Sequence, residues 1–307
     1  MRVAVIDMGS NSIRLLLGEY TAKKVVSLDK RLITTRLGRG VAKNGRLDEA
    51  SMHDTISALE FFKKIAKDNK CDKILAFATS AVREAVNGKD FIHIIREKIG
   101  IDVEIISGEK EGVLSFKGAR AGLGIKGSAL VVDIGGGSTE FCVGDDEGFE
   151  SFSIPAGAVR LTQKYLHSDP PIDEEIQTAQ SAVNELMENF VQRRASMLKD
   201  GFFTAVGVGG TITSLAAMIQ KLTVYDPAKV HGFSMKQEDV KTVFESLCRM
   251  TTEERKKIPG ISPQRADIIT AGVIILRQIM QKLDISVIKA SESDLMEGYI
   301  IENVSDM

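Results

Sequence analysis

The chain has 307 residues, 43% of them hydrophobic, with a formal net charge of −2 and an isoelectric point near 6.2. That length suffices for two domains with separate cores, and the near-neutral balance speaks against broad electrostatic capture of nucleic acid or acidic membrane, so an anionic substrate needs a local site. Cys71, Cys142 and Cys248 are far apart and form no C-x-x-C pair, which argues against a disulfide framework or structural zinc and fits a reducing cytoplasm.

Met1 runs straight into an apolar strand without the basic-then-apolar pattern of a signal peptide, so secretion is not expected. Residues 3–6 and 13–17 read as two strands around a Gly/Ser turn, and 25–33 continues the sheet. Met52, Ile56, Leu59, Phe62 and Ile65 give helical spacing over 48–68. A strand at 73–78 follows, with Thr79-Ser80 placed to cap a short helix carrying Arg83; then come a helix at 91–99, a strand at 102–106 and a helix at 108–122. The glycine-rich stretch 122–127 is the candidate linker.

The cycle then restarts. Strands at 130–132, 141–143 and 149–154 are followed by helices at 156–165 and 173–197, and a strand at 202–206 leads to Gly207-Val208-Gly209-Gly210-Thr211 and a helix at 212–219. Helices at 236–250 and 263–283, a strand at 286–290 and a helix at 294–303 complete the pattern. The apolar run 268–276 is too short to span a bilayer and reads as a buried helix, and the apolar helix 268–280 could serve core packing or a homodimer contact. The expected fold is α/β, with two related domains enclosing a central cleft: residues 1–124, joined by the C-terminal helix 295–307, and residues 125–294.

Two segments are nearly the same. Asp7-Met8-Gly9-Ser10-Asn11-Ser12 and Asp133-Ile134-Gly135-Gly136-Gly137-Ser138-Thr139-Glu140 each follow a short apolar strand and lead into another. Such a turn exposes backbone N–H groups that make an anion nest, and an Asp at the strand end can hold a divalent cation. One glycine-rich turn is equally well a tight hairpin; its duplication with Asp-x-Gly in both copies points to phosphate and metal. The Gly207–Thr211 turn sits between strand and helix, where its amides could hold an anion or its small residues could serve packing. Arg36 and Arg39 could guide a polyanion, and the four histidines show no metal-ligand spacing.

Together with Thr79-Ser80-Ala81-Val82-Arg83 and Ile106-Ser107-Gly108-Glu109-Lys110-Glu111, these turns resemble the exopolyphosphatase / guanosine pentaphosphate phosphohydrolase family of the actin-like ATPase and sugar-kinase superfamily. The four motifs stand in family order, and the likeness extends to residues 291–298. The resemblance implies two ribonuclease H-like (actin-like) domains and Mg²⁺-dependent removal of terminal phosphate from inorganic polyphosphate. Glu111 matches the catalytic base and Arg83 a phosphate-binding arginine, while Asp133 and Glu140 match the metal carboxylates. Asp7, Gly9, Ser10, Asn11 and Ser12, and Gly135, Gly136, Gly137, Ser138 and Thr139, match the phosphate loops, with Gly209, Gly210 and Thr211 a further candidate phosphate contact.

On residue type alone Glu111 reads as a solvated charge in a helix's first turn, Arg83 as a partner of Glu84 or Asp90, and Glu140 as a solvent-facing strand residue. Lys110 departs from the family's adjacent glutamates and reads as solvated; with Ser107 as cap it is the third helical residue, so neither Glu109 nor Glu111 closes a capping box. The sequence resembles the short two-domain members, so the C-terminal domains of the longer ones are not expected. Guanosine pentaphosphate hydrolysis, an ATP-dependent kinase or ATPase, and a non-catalytic polyphosphate or alarmone sensor are the alternatives.

Overall fold

Residues 3 to 6 are all fully buried. That follows from the position of strand β1 (Arg2–Met8) in the middle of a five-stranded sheet covered on both faces, where an unbroken apolar run replaces alternation. The computed structural model describes residues 1–21, 24–199 and 203–304. Phe202 of the expected strand and residues 305–307 of the expected C-terminal helix lie outside them.

β2 (Ser12–Thr21) and β3 (Lys24–Thr34) extend β1 as an antiparallel meander. After α1 (Val41–Asn44) and α2 (Glu49–Asp68), β4 (Lys73–Ala78) returns parallel to β1. α3 (Ser80–Glu84) and α4 (Gly88–Ile99) lead to β5 (Glu104–Ile105), parallel to β4, and then α5 (Gly108–Leu123). Asp48 caps α2 by accepting from Ser51 N at 2.9 Å, whereas Thr79 holds the cap position of α3 without a side-chain cap bond.

The second cycle has β6 (Ala129–Ile134), β7 (Thr139–Gly144), β8 (Phe149–Ile154), α6 (Ala158–Tyr165) and α7 (Asp173–Lys199). There follow β9 (Thr204–Val208), α8 (Gly210–Ile219), α9 (Pro227–Val230), β10 (Ser234–Lys236), α10 (Gln237–Cys248), α11 (Thr252–Arg255), α12 (Ile269–Lys282), β11 (Val287–Ala290) and α13 (Leu295–Val304).

The chain divides into two compact units, Met1–Gly118 with Leu295–Met307, and Ala119–Asp294, the division falling inside α5 rather than in the 122–127 stretch. Their sheets run in the same order: β3-β2-β1-β4-β5 in the first, and β8-β7-β6-β9-β11, with β10 added at the edge, in the second. Each is an antiparallel meander followed by two parallel strands, the duplicated α/β arrangement expected for actin-like domains.

In the first unit Ala4, Ile6 and Met8 pack with Leu59, Phe62, Phe91 and Ile95, while Val3 and Val5 pack with Leu114, Tyr299 and Ile300. Gly298 lets α13 approach α5 at backbone distance, because a Cβ there would collide with the Leu114 carbonyl. In the second unit α12 is apolar through residues 271–276 and buried through most of its length against α6, α7 and α10. It is a core helix, which removes it as a dimer contact. It also begins later than expected, because Pro263–Arg265 forms a short 3₁₀ turn that precedes it. Among the described residues no helix is long and apolar enough to cross a membrane.

Candidate active site

The first glycine turn joins β1 to β2. Gly9 N donates to Ser12 O at 3.1 Å, closing it, while the carbonyls of Ser10 and Asn11 accept from Gly38 N (2.7 Å) and Arg36 N (2.9 Å). A loop of residues 35–40 thereby fixes the turn from one side, and a Cβ on Gly38 would lie 2.9 Å from Ser10 Cβ. Ser10 Oγ and Ser80 Oγ are 2.8 Å apart, which ties the turn to the start of α3. Ser12 Oγ meets Thr34 Oγ1 at 3.4 Å and accepts from Asn11 Nδ2 at 3.2 Å. At the strand end, Asp7 stands opposite Arg14 in the ladder, and Arg14 Nε and Nη2 reach Asp7 Oδ2 at 2.7 and 2.6 Å.

Also in the first unit, Arg83 and Glu111 come together. Arg83 Nη1 donates to Ile106 O at 2.8 Å and to Glu111 Oε2 at 3.3 Å, so its partners are neither Glu84 nor Asp90. Glu111 is buried, not a solvated charge, at the first turn of α5. Ser107 caps that turn: its Oγ accepts from Lys110 N at 3.2 Å and its carbonyl from Glu111 N at 2.9 Å.

The second glycine turn joins β6 to β7 and closes the same way, with Gly135 N on Ser138 O at 3.0 Å. Here a helix start replaces the loop: Ala158 N donates to Gly135 O, Val159 N and Arg160 N to Gly136 O, and Arg160 Nε to Gly137 O at 2.7 Å. With the carbonyls occupied on that side, no acceptor among the described residues meets the N–H groups of Gly136, Gly137 and Ser138, which is the geometry of an anion nest. Gly157 must be glycine, because a Cβ there would collide with Gly136 and Gly137.

Asp133 and Glu140 stand directly opposite in the β6–β7 ladder, and both are buried. Cβ atoms so placed are about 5 Å apart, and opposed like charges repel unless a cation lies between them. Glu140 Oε1 accepts from Ser153 Oγ at 2.7 Å. The pair therefore fits a hard divalent cation. Among the described residues no group of three or more His, Cys, Asp or Glu side chains gathers to hold a metal. Two carboxylates suit Mg²⁺, which keeps waters and substrate oxygens as its other ligands. Asp7 differs, since Arg14 already neutralises it.

Thr139 is a correction. It is fully buried and its hydroxyl donates to Ala156 O, so it holds the turn instead of meeting a phosphate. Gly209 has φ 87°, and a Cβ on it would lie 2.9 Å from Asp133 Oδ1, so that glycine makes room for the carboxylate. Gly210 and Thr211 belong to the first turn of α8, with Thr211 buried against Gly272. The guanidinium of Arg265 occupies the space that a Cβ on Gly210 would need, directly over the helix N-terminus.

Sequence reasoning missed Arg265, which sits in a loop that Pro263 made look like a helix start. It also missed Arg14, although counting outward from the turn pairs it with Asp7, just as it pairs Glu140 with Asp133.

The comparisons with known proteins give the family and the fold. A sequence model of the Ppx/GppA phosphatase family matches residues 21–307. Exopolyphosphatase 2 of Mycobacterium tuberculosis is 35% identical over 311 residues, covering 97% of each chain. The solved Ppx/GppA enzyme of Aquifex aeolicus is 34% identical with a TM-score of 0.82 over 99% of both chains. An exopolyphosphatase from Cytophaga hutchinsonii, 26% identical, gives 0.90 over 99% of both. This chain belongs to the Ppx/GppA phosphatase family and is a hydrolase of phosphoanhydride bonds.

Proposed function

We propose that the protein is an exopolyphosphatase that releases terminal phosphate from inorganic polyphosphate with Mg²⁺ as cofactor. The observation that carries this reading is the buried Glu111 carboxylate, held by Arg83 at a helix start. Hydrolysis needs a group that orients and deprotonates water, and a fixed carboxylate is suited to that task. A base also serves transfer, by taking the proton of an acceptor hydroxyl, so phosphate release to water is what separates the two.

The remaining parts follow from the chain's own residues. Arg83 offers a planar guanidinium whose charge does not titrate away and can hold equatorial phosphate oxygens. The amides of the second glycine turn are oriented before substrate arrives, so they stabilise developing charge without reorganising. Arg265, above the α8 N-terminus, adds a cation where the helix already favours an anion, and suits a further phosphate of the chain. Asp133 and Glu140 would hold the metal. Mg²⁺, when bound, supplies charge neutralisation at the phosphate oxygens.

The test is phosphate release by the purified full chain with Mg²⁺ and polyphosphate, ATP or guanosine pentaphosphate. Polyphosphate should turn over best, and Glu111→Gln should lower kcat by at least about 100-fold while polyphosphate binding persists. Rapid turnover of ATP or guanosine pentaphosphate with none of polyphosphate would overturn the assignment, as would tight polyphosphate binding without turnover.

A further inference from the structure

Lys110, expected to be a solvated charge, is the hub of a network. Its Nζ lies 2.8 Å from Glu104 Oε1 and 3.5 Å from Glu302 Oε1, and 5.9 Å from the centroid of the Tyr299 ring. The second oxygen of Glu104 accepts from the Tyr299 hydroxyl at 2.7 Å, and that of Glu302 from Lys117 Nζ at 2.8 Å. Tyr299 in turn packs its ring on Phe77 of β4, centroids 4.7 Å apart. Every member belongs to the first unit, on β5, α5, α13 and β4.

The placement matters because of what lies between Glu104 and Lys110. Only a short connection runs from β5 to α5, and Arg83 holds it by taking Ile106 O and Glu111 Oε2 with one nitrogen. Lys110 bridges the same connection by bonding Glu104, at the start of β5, from the first turn of α5. The turn that carries Glu111 is thus fixed by a guanidinium and by an ammonium, each linking α5 to the segment before it. A displacement of α5 relative to β5 has to break both.

Each ion pair here is about one-third exposed, with side-chain exposures of 34, 42 and 32% for Lys110, Glu104 and Glu302, so none is a large source of stability. Position is another matter. A general base acts over a few tenths of an ångström, and a group that holds its helix in place can change rate without changing affinity.

We propose that Lys110 is a positioning residue for the hydrolytic reaction: with Glu104, Tyr299 and Glu302 it fixes the first turn of α5 and so sets the Glu111 carboxylate on Arg83. The inference rests on the reading of Glu111 as the base.

The experiment is steady-state hydrolysis of polyphosphate by the full chain and by Lys110→Met, Lys110→Arg, Glu302→Gln and Glu111→Gln, each with its melting temperature. Lys110→Met should lower kcat about tenfold with KM within about twofold. Lys110→Arg should recover most of that loss, and Glu302→Gln, which spares Lys110, should lower kcat about threefold. If Lys110→Met does not fold, Glu302→Gln decides: an unchanged kcat overturns the proposal. Lys110→Met with a lower melting temperature and an unchanged kcat also overturns it, because the network then serves only to attach α13. A raised KM with unchanged kcat overturns it in favour of a substrate contact. Full activity in Glu111→Gln removes the base reading, and the inference with it; inactive Glu111→Gln beside unchanged Lys110→Met removes the inference alone.

Discussion

In the first unit the residue facing Asp7 across the hairpin is Arg14; in the second the residue facing Asp133 is Glu140. Both turns close on a glycine N–H to a serine carbonyl, and both have turn carbonyls taken by neighbouring N–H groups. One side chain in the register therefore decides what each hairpin is for. Paired with Arg14, Asp7 is neutralised within the hairpin and holds the turn. Opposed to Glu140, Asp133 belongs to a buried carboxylate pair, the proposed seat of the metal.

Variants at five positions and a pH series break or sharpen that contrast. The largest effect is expected for Glu140→Gln, which should lower activity at limiting Mg²⁺ by roughly 100-fold and raise the Mg²⁺ concentration needed for half activity. Asp7→Asn should leave that Mg²⁺ concentration unchanged and lower stability by about 2 kcal/mol, since Arg14 loses its charged acceptor; an equal shift in Mg²⁺ requirement for both variants would erase the distinction. Next come the glycines that support the turns. Gly157→Ala should cost roughly 1–3 kcal/mol in denaturant unfolding, because its Cβ meets rigid backbone, and Gly38→Ala less, because its nearest neighbour is Ser10 Cβ at 2.9 Å. Ser153→Ala should be milder, with a cost of about 1 kcal/mol and a modest weakening of Mg²⁺ dependence.

The smallest effect concerns pH. Burial alone would raise the Glu104 carboxyl, but hydrogen bonds from Lys110 and Tyr299, with the Lys110 charge, hold it below its ordinary 4.5. Burial likewise would lower Lys110, and its bond to Glu104 and the charges of Glu104 and Glu302 hold it above its ordinary 10.5. Glu104's share of stability is therefore complete above pH 4.5 and fades as the pH falls through its lower folded value; Lys110's is complete below 10.5 and fades above it. The melting-temperature gap between the wild-type chain and Lys110→Met should be constant between those limits and close outside them. A gap that persists at pH 2 would show that packing of the Lys110 stem, not its charge, is responsible.

The two hairpins, the strands other than β10 and the largely apolar α12 were legible in sequence, because each depends on local pattern: an apolar run, a glycine turn, a scarcity of polar residues. The burial of Glu140 was not, and the reason is physical. Alternation assigns a strand residue to solvent only when one face of the sheet is bare, whereas β7 lies between β6 and β8 and buries Thr139, Glu140, Phe141 and Cys142 in succession. Arg83 found its partners in the β5–α5 connection and on α5, well beyond any helical spacing from its own position. Lys110 looked solvated because Glu104, Tyr299 and Glu302 reach it from distant points in the sequence. Arg265 was hidden by a proline that begins a 3₁₀ turn in place of the α-helix.

The final helix, α13, belongs to the first unit, packing on β1, β2 and β3, although the whole second unit separates it from them in the chain. During synthesis the second unit is complete before α13 emerges, while Val3, Val5 and Leu16 still lack Tyr299 and Ile300. The core of the first unit is thus completed by a segment made after residues 119–294, through contacts of long sequence separation.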